Sequence, residues 1–76
     1  VFTTEDGIKR IKEFFGNLID WKNIDDLIPQ AFKKSTENKK SGKAGIFAGS
    51  LELVKEGNIT IKQNELFEDV FIKENK

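Results

Sequence analysis

The pattern that most constrains the fold is a glycine-bearing helical repeat of apolar residues in the second half of the chain. Its spacing predicts a helix over residues 42–56, and Gly57 suits the left-handed position that follows a helix. Gly42, Gly45 and Gly49 each cost about 1 kcal/mol relative to Ala inside a helix. Their presence indicates that a neighbouring element packs closely against them. The alternative is that the first turn frays and the helix begins near Gly45.

A first helix is predicted near the N-terminus. Thr3 is followed three residues later by Asp6, which is close to a capping box. Apolar residues then recur at helical spacing, and Gly16 with Asn17 supplies a stop signal. The pattern therefore predicts a helix over residues 4–15.

Shorter elements are predicted between these two helices. The apolar and aromatic residues 18–21 are typical of a brief strand. Asn23 can cap a second, short helix over residues 24–28. The polar stretch 30–42 predicts a loop, with at most one helical turn near its start.

The C-terminal part of the chain predicts a hairpin. Ile59 and Ile61 alternate with polar residues, as in a half-buried strand. Residues 64–67 are predicted as the turn, residues 70–72 as the returning strand and residues 73–76 as a charged tail. The order of helix, short strand, helix, helix and hairpin is typical of the winged-helix fold. We therefore expect one α+β winged-helix domain over residues 1–76, with three helices, a short strand and a two-stranded wing.

Composition excludes several classes of function. The chain has no Cys and no His, so disulfide frameworks, thiolate zinc sites and thiol catalysis are excluded and the commonest general base is missing. A phosphate-binding loop at Gly42 and Lys43 fails, because Glu37 and Ala44 stand where that motif needs Gly and Ser or Thr. No apolar run approaches the roughly 20 residues that span a bilayer. We expect no catalysis, no cofactor, no metal and no membrane partner, and we interpret the Met-free chain as a domain of a longer protein.

Positive charge is concentrated in one polar stretch, although the formal net charge of the chain is zero. The stretch contains Lys33, Lys34, Lys39, Lys40 and Lys43. One interpretation is a solvated loop. The other is weak, sequence-independent contact with nucleic acid, which makes a nucleic-acid-binding winged helix the alternative function. The outer face of the predicted third helix offers no Arg, Asn or Gln to reach a base edge, which argues against sequence-specific DNA recognition.

The predicted third helix carries two apolar stripes. The first stripe comprises Ala44, Phe47, Leu51 and Val54. Ile46 and Leu53 form the second stripe, and the small Ser50 joins the two. One stripe has to face the core. The other is either a second core contact or an exposed surface for a partner, which includes a second copy of the chain.

A family resemblance covers the last third of the chain. This part contains the run FAGSLELVKEG from Phe47 to Gly57, then Ile59 and Ile61, then QNELFEDV from Gln63 to Val70. It resembles the C-terminal domain of kleisins, above all that of the bacterial segregation and condensation protein A family. The family pattern is an aromatic residue, three further residues, Leu-x-Leu-(Val/Ile)-x-x-Gly, alternating apolar residues and Gln-x-Glu-Pro-Phe-x-Asp-Ile. Leu66 departs from it, since Pro is usual there, and the polar stretch 30–42 is a second departure.

The resemblance implies a domain that binds protein rather than DNA. In that family the domain docks on the ATPase head of an SMC protein, while the kleisin's N-terminal domain grips a second SMC subunit. The central segment binds accessory winged-helix proteins, and the resulting ring encloses chromosomal DNA, which this domain would meet only indirectly. The resemblance thus implies a cytoplasmic, nucleoid-associated protein of chromosome condensation and segregation. The implied SMC-interface residues are Phe47, Leu51, Ile46, Ser50, Ile61, Gln63 and Val70.

Two questions about these residues stay open at the level of sequence. Phe47 and Leu51 either share the core edge and the interface, or lie at the interface while the second stripe serves the core. The polar motif positions Gln63, Glu65 and Asp69 either hydrogen-bond to the partner or belong to the turn, in which Asn64 and Asp69 would satisfy backbone amides of the hairpin. We expect the turn role for Asp69, and the role of Gln63 stays open. Phe67 is expected to fill the end of the core beneath the hairpin.

Overall fold

The computed structural model describes residues 2–63, 65 and 69–75 of the chain. Within them lie two α-helices and three strands that pair into one antiparallel sheet. The elements are α1 (Thr4–Lys12), β1 (Lys22–Asn23), a first 3₁₀ turn (Ile24–Leu27), a second 3₁₀ turn (Gln30–Phe32), α2 (Thr36–Lys55), β2 (Ile59–Lys62) and β3 (Phe71–Glu74). The predicted α+β class is confirmed, but the described residues contain two α-helices where the sequence predicts three helices.

A complete capping box begins α1. The Thr3 hydroxyl accepts a hydrogen bond from the Asp6 N–H at 3.1 Å, and the Thr3 N–H donates to Asp6 Oδ2 at 3.0 Å. The predicted start of the helix is therefore confirmed. The helix ends at Lys12 rather than at residue 15, because the following backbone groups form tighter turns, in which the Phe14 N–H donates to the Ile11 carbonyl at 2.9 Å.

The first strand lies later in the chain than predicted. It occupies Lys22–Asn23 instead of residues 18–21. Leu18 is buried, and its carbonyl accepts a hydrogen bond from the Glu74 N–H at 2.9 Å. The apolar character of this run therefore reflects one core residue that precedes the strand.

The predicted second helix is a single 3₁₀ turn, Ile24–Leu27. Asn23 caps it as expected, since its side-chain oxygen accepts a hydrogen bond from the Asp25 N–H at 2.9 Å. Pro29 follows closely, and a proline has no N–H with which to extend the turn. The predicted cap is thus confirmed, and the element is a four-residue 3₁₀ turn where the sequence predicts a helix over residues 24–28.

Most of the stretch predicted as a loop at residues 30–42 is helical. α2 begins at Thr36, and the Ser35 hydroxyl caps it by accepting a hydrogen bond from the Asn38 N–H at 3.1 Å. The first turns of α2 are polar on every side, so hydrophobic periodicity does not reveal them. At its other end α2 stops at Lys55, and Gly57 follows with a φ of 79°, in the predicted left-handed conformation.

The two helices pack where both lack side chains. A β-carbon on Gly7 would collide with the Gly45 carbonyl oxygen. A β-carbon on Gly49 would lie 2.7 Å from the Ile8 backbone nitrogen and 2.8 Å from the Gly7 carbonyl carbon. The close packing that the glycines predict is therefore confirmed. α1 lies against Gly45 and Gly49, whereas the Ile28 and Phe32 side chains lie against Gly42.

β3 is the central strand of the sheet, whose order is β1-β3-β2. Ile72 lies opposite Lys22 on one side and opposite Ile61 on the other. Lys73 and Glu74, which the sequence predicts as part of a charged tail, belong to this strand. β3 therefore connects β1, from the N-terminal part of the chain, with β2, from the C-terminal part, in one sheet.

The turn predicted at residues 64–67 lies outside the described residues except for Glu65, which is exposed. The expectation that Phe67 fills the end of the core also falls outside them.

The core lies between the helix pair and the inner face of the sheet. Its buried apolar residues are Phe2, Ile11, Leu18, Ile24, Leu27, Ile28, Ile46, Leu53, Ile59, Val70 and Ile72. Both helices, the first 3₁₀ turn and two of the strands contribute to this one cluster. None of the helices formed by the described residues has the length and apolar character that a membrane span requires.

Candidate protein interface

α2 buries one of its two apolar stripes. Ile46 and Leu53 are fully buried, and Gly45 and Gly49 lie on the same side of the helix against α1. Because glycine has no side chain, this face looks only weakly apolar in the sequence. The core role therefore belongs to Ile46 and Leu53, one of the two alternatives that the sequence leaves open.

The other side of α2 carries an apolar surface, the α2 stripe, made of Ala44, Phe47, Leu51 and Val54. Leu51 is 41% exposed and Ala44 is exposed. Phe47 and Val54 are half-buried and pack against the core along one edge. Residues three and four apart are neighbours on a helix surface, so the four side chains form a continuous patch. A contiguous apolar patch of this kind is typical of a binding surface.

Three of the seven predicted interface residues lie in the interior. Ile46 and Val70 belong to the buried core. Ser50 is also buried, and its hydroxyl donates a hydrogen bond to the Ile46 carbonyl at 2.8 Å, so its polar group is satisfied inside the helix. These three side chains are therefore inaccessible to a partner in this structure, which reduces the predicted interface to the other four residues.

The two remaining candidates lie on and just after β2. Ile61 is half-buried on the face of β2 that it shares with the buried Ile59, and β2 packs against α2. Gln63 is exposed immediately after the strand. Asp69 is exposed as well, on the approach to β3. The accessible candidates are therefore Phe47 and Leu51 on the helix, with Ile61 and Gln63 on the hairpin.

Sequence reasoning does not find the outer face of the sheet. Trp21 is 37% exposed just before β1, and the Nζ atoms of Lys62 and Lys73 lie 5.1 and 5.7 Å from the centroid of its ring. Such cation–π contacts hold the aromatic ring against the sheet. Only the strand register brings these three residues together, and a strand predicted at residues 18–21 gives the wrong register.

The five predicted lysines gather around the N-terminal end of α2. Lys33 and Lys34 precede the helix, and the other three lie on it. An open cleft of about 270 Å³ is lined by Lys39, Lys40, Lys43, Asp25 and Thr36. Lys43 Nζ lies 3.4 Å from Asp25 Oδ1, a buried oxygen that accepts no hydrogen bond in the described part of the chain. That contact is therefore an ion pair without hydrogen-bond geometry.

Other sources of functional evidence are few. Among residues 2–63, 65 and 69–75, no group of three or more His, Cys, Asp and Glu side chains could hold a metal ion. Comparison of the chain with protein-family models, with curated proteins and with solved structures gives no match in any of the three. The surfaces of the chain itself are therefore the basis for a function.

Proposed function

We propose that this chain is a winged-helix protein-binding domain, the C-terminal domain of a bacterial kleisin of the segregation and condensation protein A type. In this proposal it docks on the ATPase head of an SMC protein and helps to close an SMC–kleisin ring that acts in chromosome condensation and segregation. Its contribution is binding without catalysis. Other parts of a longer kleisin would bind the second SMC subunit and the accessory protein.

The order of elements supports a winged helix. α1 is followed by β1, a 3₁₀ turn, α2 and the β2–β3 pair, and β3 lies between β1 and β2. This order is compatible with a winged helix in which the 3₁₀ turn Ile24–Leu27 stands in place of the second helix. The two strands that follow α2 would then be the wing.

The exposure of Leu51 is the observation that carries the proposal. Leu51 is the most exposed large apolar residue of α2, at 41%, and it belongs to the segment that resembles the kleisin C-terminal domain. The fold gains little from a leucine that remains in water, since burial stabilises an apolar side chain in proportion to the area removed. A partner that covers Leu51, Phe47 and Val54 together would gain that burial.

The α2 stripe suits an anchor in a partner's apolar pocket. Its residues lie on a helix whose opposite face is fixed in the core by Ile46 and Leu53, so little conformational entropy remains to be lost on docking. Apolar docking also predicts an affinity that changes little with salt, because exposed charges play a minor part.

Calorimetric titration of the chain into a purified SMC ATPase head from the same source tests the proposal. We expect one-to-one binding of similar affinity at two salt concentrations. Leu51→Arg should weaken this binding about 30-fold or more, since interface anchors cost about 2 kcal/mol or more when removed. Ile19→Arg is the matched control, because Ile19 is 64% exposed but lies outside α2 and the hairpin. Absence of binding by the folded chain, or an equal effect of both variants, would contradict the proposal.

Phe47→Arg provides a second test on the same surface. Phe47 is half-buried and packs against the core along one edge, so we expect loss of head binding with a modest loss of stability. Circular dichroism separates the two effects. If the variant unfolds, Phe47 is a core residue and Leu51 is the interface candidate that remains on α2. Light scattering tests the alternative that the chain forms a homodimer. A doubled mass of the isolated chain would assign the α2 stripe to a second copy instead.

A further inference from the structure

The N-terminal end of α2 is a basic surface that the proposed docking site does not use. Lys39 and Lys40 are exposed near the start of the helix, one or two turns before the α2 stripe begins at Ala44. Lys33 and Lys34 are exposed in the segment that leads into the helix. Helix formation therefore gives Lys39 and Lys40 defined backbone positions where the sequence predicts a loop.

Most of this charge is uncompensated. Among the residues that the structure describes, Lys33, Lys34, Lys39 and Lys40 take part in no ion pair. Lys43 is paired with Asp25 at 3.4 Å, so its charge is partly neutralised. The first turn of α2 also contains one exposed acid, Glu37, which reduces the local positive potential without cancelling it.

Three of the lysines surround one cleft, so a single anion there could contact all of them. Lys39, Lys40 and Lys43 line the same open space of about 270 Å³, together with Asp25 and Thr36. The Ser35 hydroxyl already accepts the Asn38 N–H, and the exposed lysine ammonium groups supply the full positive charges that would hold an anion. An ammonium group on a flexible stem acts as a point charge, which suits phosphate oxygens that approach from several directions.

We infer that this end of α2 binds the phosphate backbone of double-stranded DNA without sequence preference. A protein partner is disfavoured because protein interfaces need buried apolar anchors, and none of the residues that line the cleft, Lys39, Lys40, Lys43, Asp25 and Thr36, has a large apolar side chain. Single strands are disfavoured because they bind through stacking on exposed aromatic rings. Lysine contacts to phosphate carry affinity but no sequence information.

The inference predicts weak and strongly salt-dependent binding. Four lysines in contact with phosphates give a slope of about −3.6 in a plot of log K against log salt concentration. Because the chain has no net charge, attraction is confined to the neighbourhood of the patch, about 10 Å at 0.1 M salt. The inference is independent of the proposed function, since DNA contact and SMC docking use different residues of α2.

Fluorescence anisotropy of a labelled 24-base-pair duplex, titrated with the whole chain at several salt concentrations, tests the inference. Lys39→Gln/Lys40→Gln should lower the affinity at low salt about tenfold or more and flatten the salt slope by about 2, about one unit for each lysine removed. Lys9→Gln/Lys12→Gln is the matched control, since it removes the same charge from exposed positions of α1, and it should leave both quantities nearly unchanged. Lys39→Arg/Lys40→Arg should keep the binding.

Three results would overturn the inference. The first is no binding of the duplex at low salt by a chain that circular dichroism shows to be folded. The second is an equal loss of affinity in the α1 control, which would mean that binding follows overall charge alone. The third is polyglutamate of matched charge competing as well as unlabelled duplex, which would assign the patch to an acidic protein segment.

Discussion

At the scale of single residues, the Thr3–Asp6 capping box is where charge contributes most clearly to local structure. The hydrogen bond that the Thr3 N–H donates to the Asp6 carboxylate is the main reason why the pKa of Asp6 lies below its ordinary value, with the Thr3 hydroxyl as the next contributor. The ionised carboxylate also lies in the first turn of α1, where the helix dipole favours negative charge. The folded chain therefore binds the proton of Asp6 more weakly than the unfolded chain does.

This difference predicts a pH-dependent contribution to stability. Because the pKa of Asp6 is lowered by folding, its contribution is fully present above the ordinary pKa of an aspartate and is lost as the pH falls through the folded value. Asp6→Asn keeps an acceptor but removes the charge, so it should destabilise the chain at pH 7 and be nearly neutral at the lowest pH where the chain still folds. Urea unfolding at both pH values measures the effect. Glu5→Gln, an exposed acid of the same turn outside the box, should show a smaller difference between the two pH values.

Glycine explains why the buried stripe of α2 could not be identified from the sequence. Gly45 and Gly49 contribute nothing to hydrophobic periodicity, yet they mark the face that α1 covers. The two apolar stripes therefore look equivalent in the sequence, and the choice depends on a contact with Gly7 that lies 38 residues away from Gly45 in the chain. Burial of Ile46 and Ser50, and exposure of Leu51, follow from that contact.

At the scale of elements, the sequence correctly predicts the features that depend only on residues close together in the chain. The capping box that begins α1, the Asn23 cap, the alternation of β2 and the left-handed Gly57 depend on neighbouring residues, and all four are confirmed. Elements that depend on distant partners were misplaced. The apolar character of Leu18 predicts a strand there, but Leu18 is a buried core residue whose carbonyl accepts a hydrogen bond from the Glu74 N–H.

The start of α2 shows the opposite error, because a real local signal there has no counterpart in hydrophobic periodicity. Ser35 followed by Thr36 and Glu37 is a reasonable helix start, but the lysine-rich residues after it have no apolar face. Polar residues such as Lys and Glu are good helix formers, so a helix extended by propensity and a cap can be invisible to periodicity. The sequence consequently predicts which lysines form the candidate site but not how they are arranged in space.

Ser35→Ala tests whether the cap sets the start of α2. Loss of the hydroxyl that accepts the Asn38 N–H should lower the free energy of unfolding by about 1 kcal/mol and reduce the helical circular dichroism signal. Thr36→Ala is the neighbouring control, since Thr36 is the first helical residue and is exposed, and it should change stability by less than about 0.5 kcal/mol. Equal and negligible effects of both variants would mean that residues 36–41 are not a stable part of the helix.

At the scale of the whole molecule, a short chain is held together by few core contacts. The Cα radius of gyration is 11.5 Å, close to the value of about 11 Å expected for a compact chain of this length. A domain of this size buries only about 60% of the surface that its unfolded chain exposes, so its stability is marginal. Each large core residue is then a substantial part of the total.

Truncation of the Ile72 side chain should destabilise the entire fold. It is fully buried at the centre of β3, between Lys22 of β1 and Ile61 of β2. Ile72→Ala should lower the free energy of unfolding by about 3 kcal/mol, because it removes buried methyl groups and leaves a cavity at the junction of both strand pairs.

Ile61→Ala is the control from the opposite register position, and loss of its half-buried side chain should lower the free energy of unfolding by about 1 kcal/mol. Urea unfolding followed by tryptophan fluorescence measures both, and equal costs would contradict the central role of β3. Since β3 joins the N-terminal and C-terminal parts of the chain, the Ile72 variant should lose all its structure in one transition and not only the sheet.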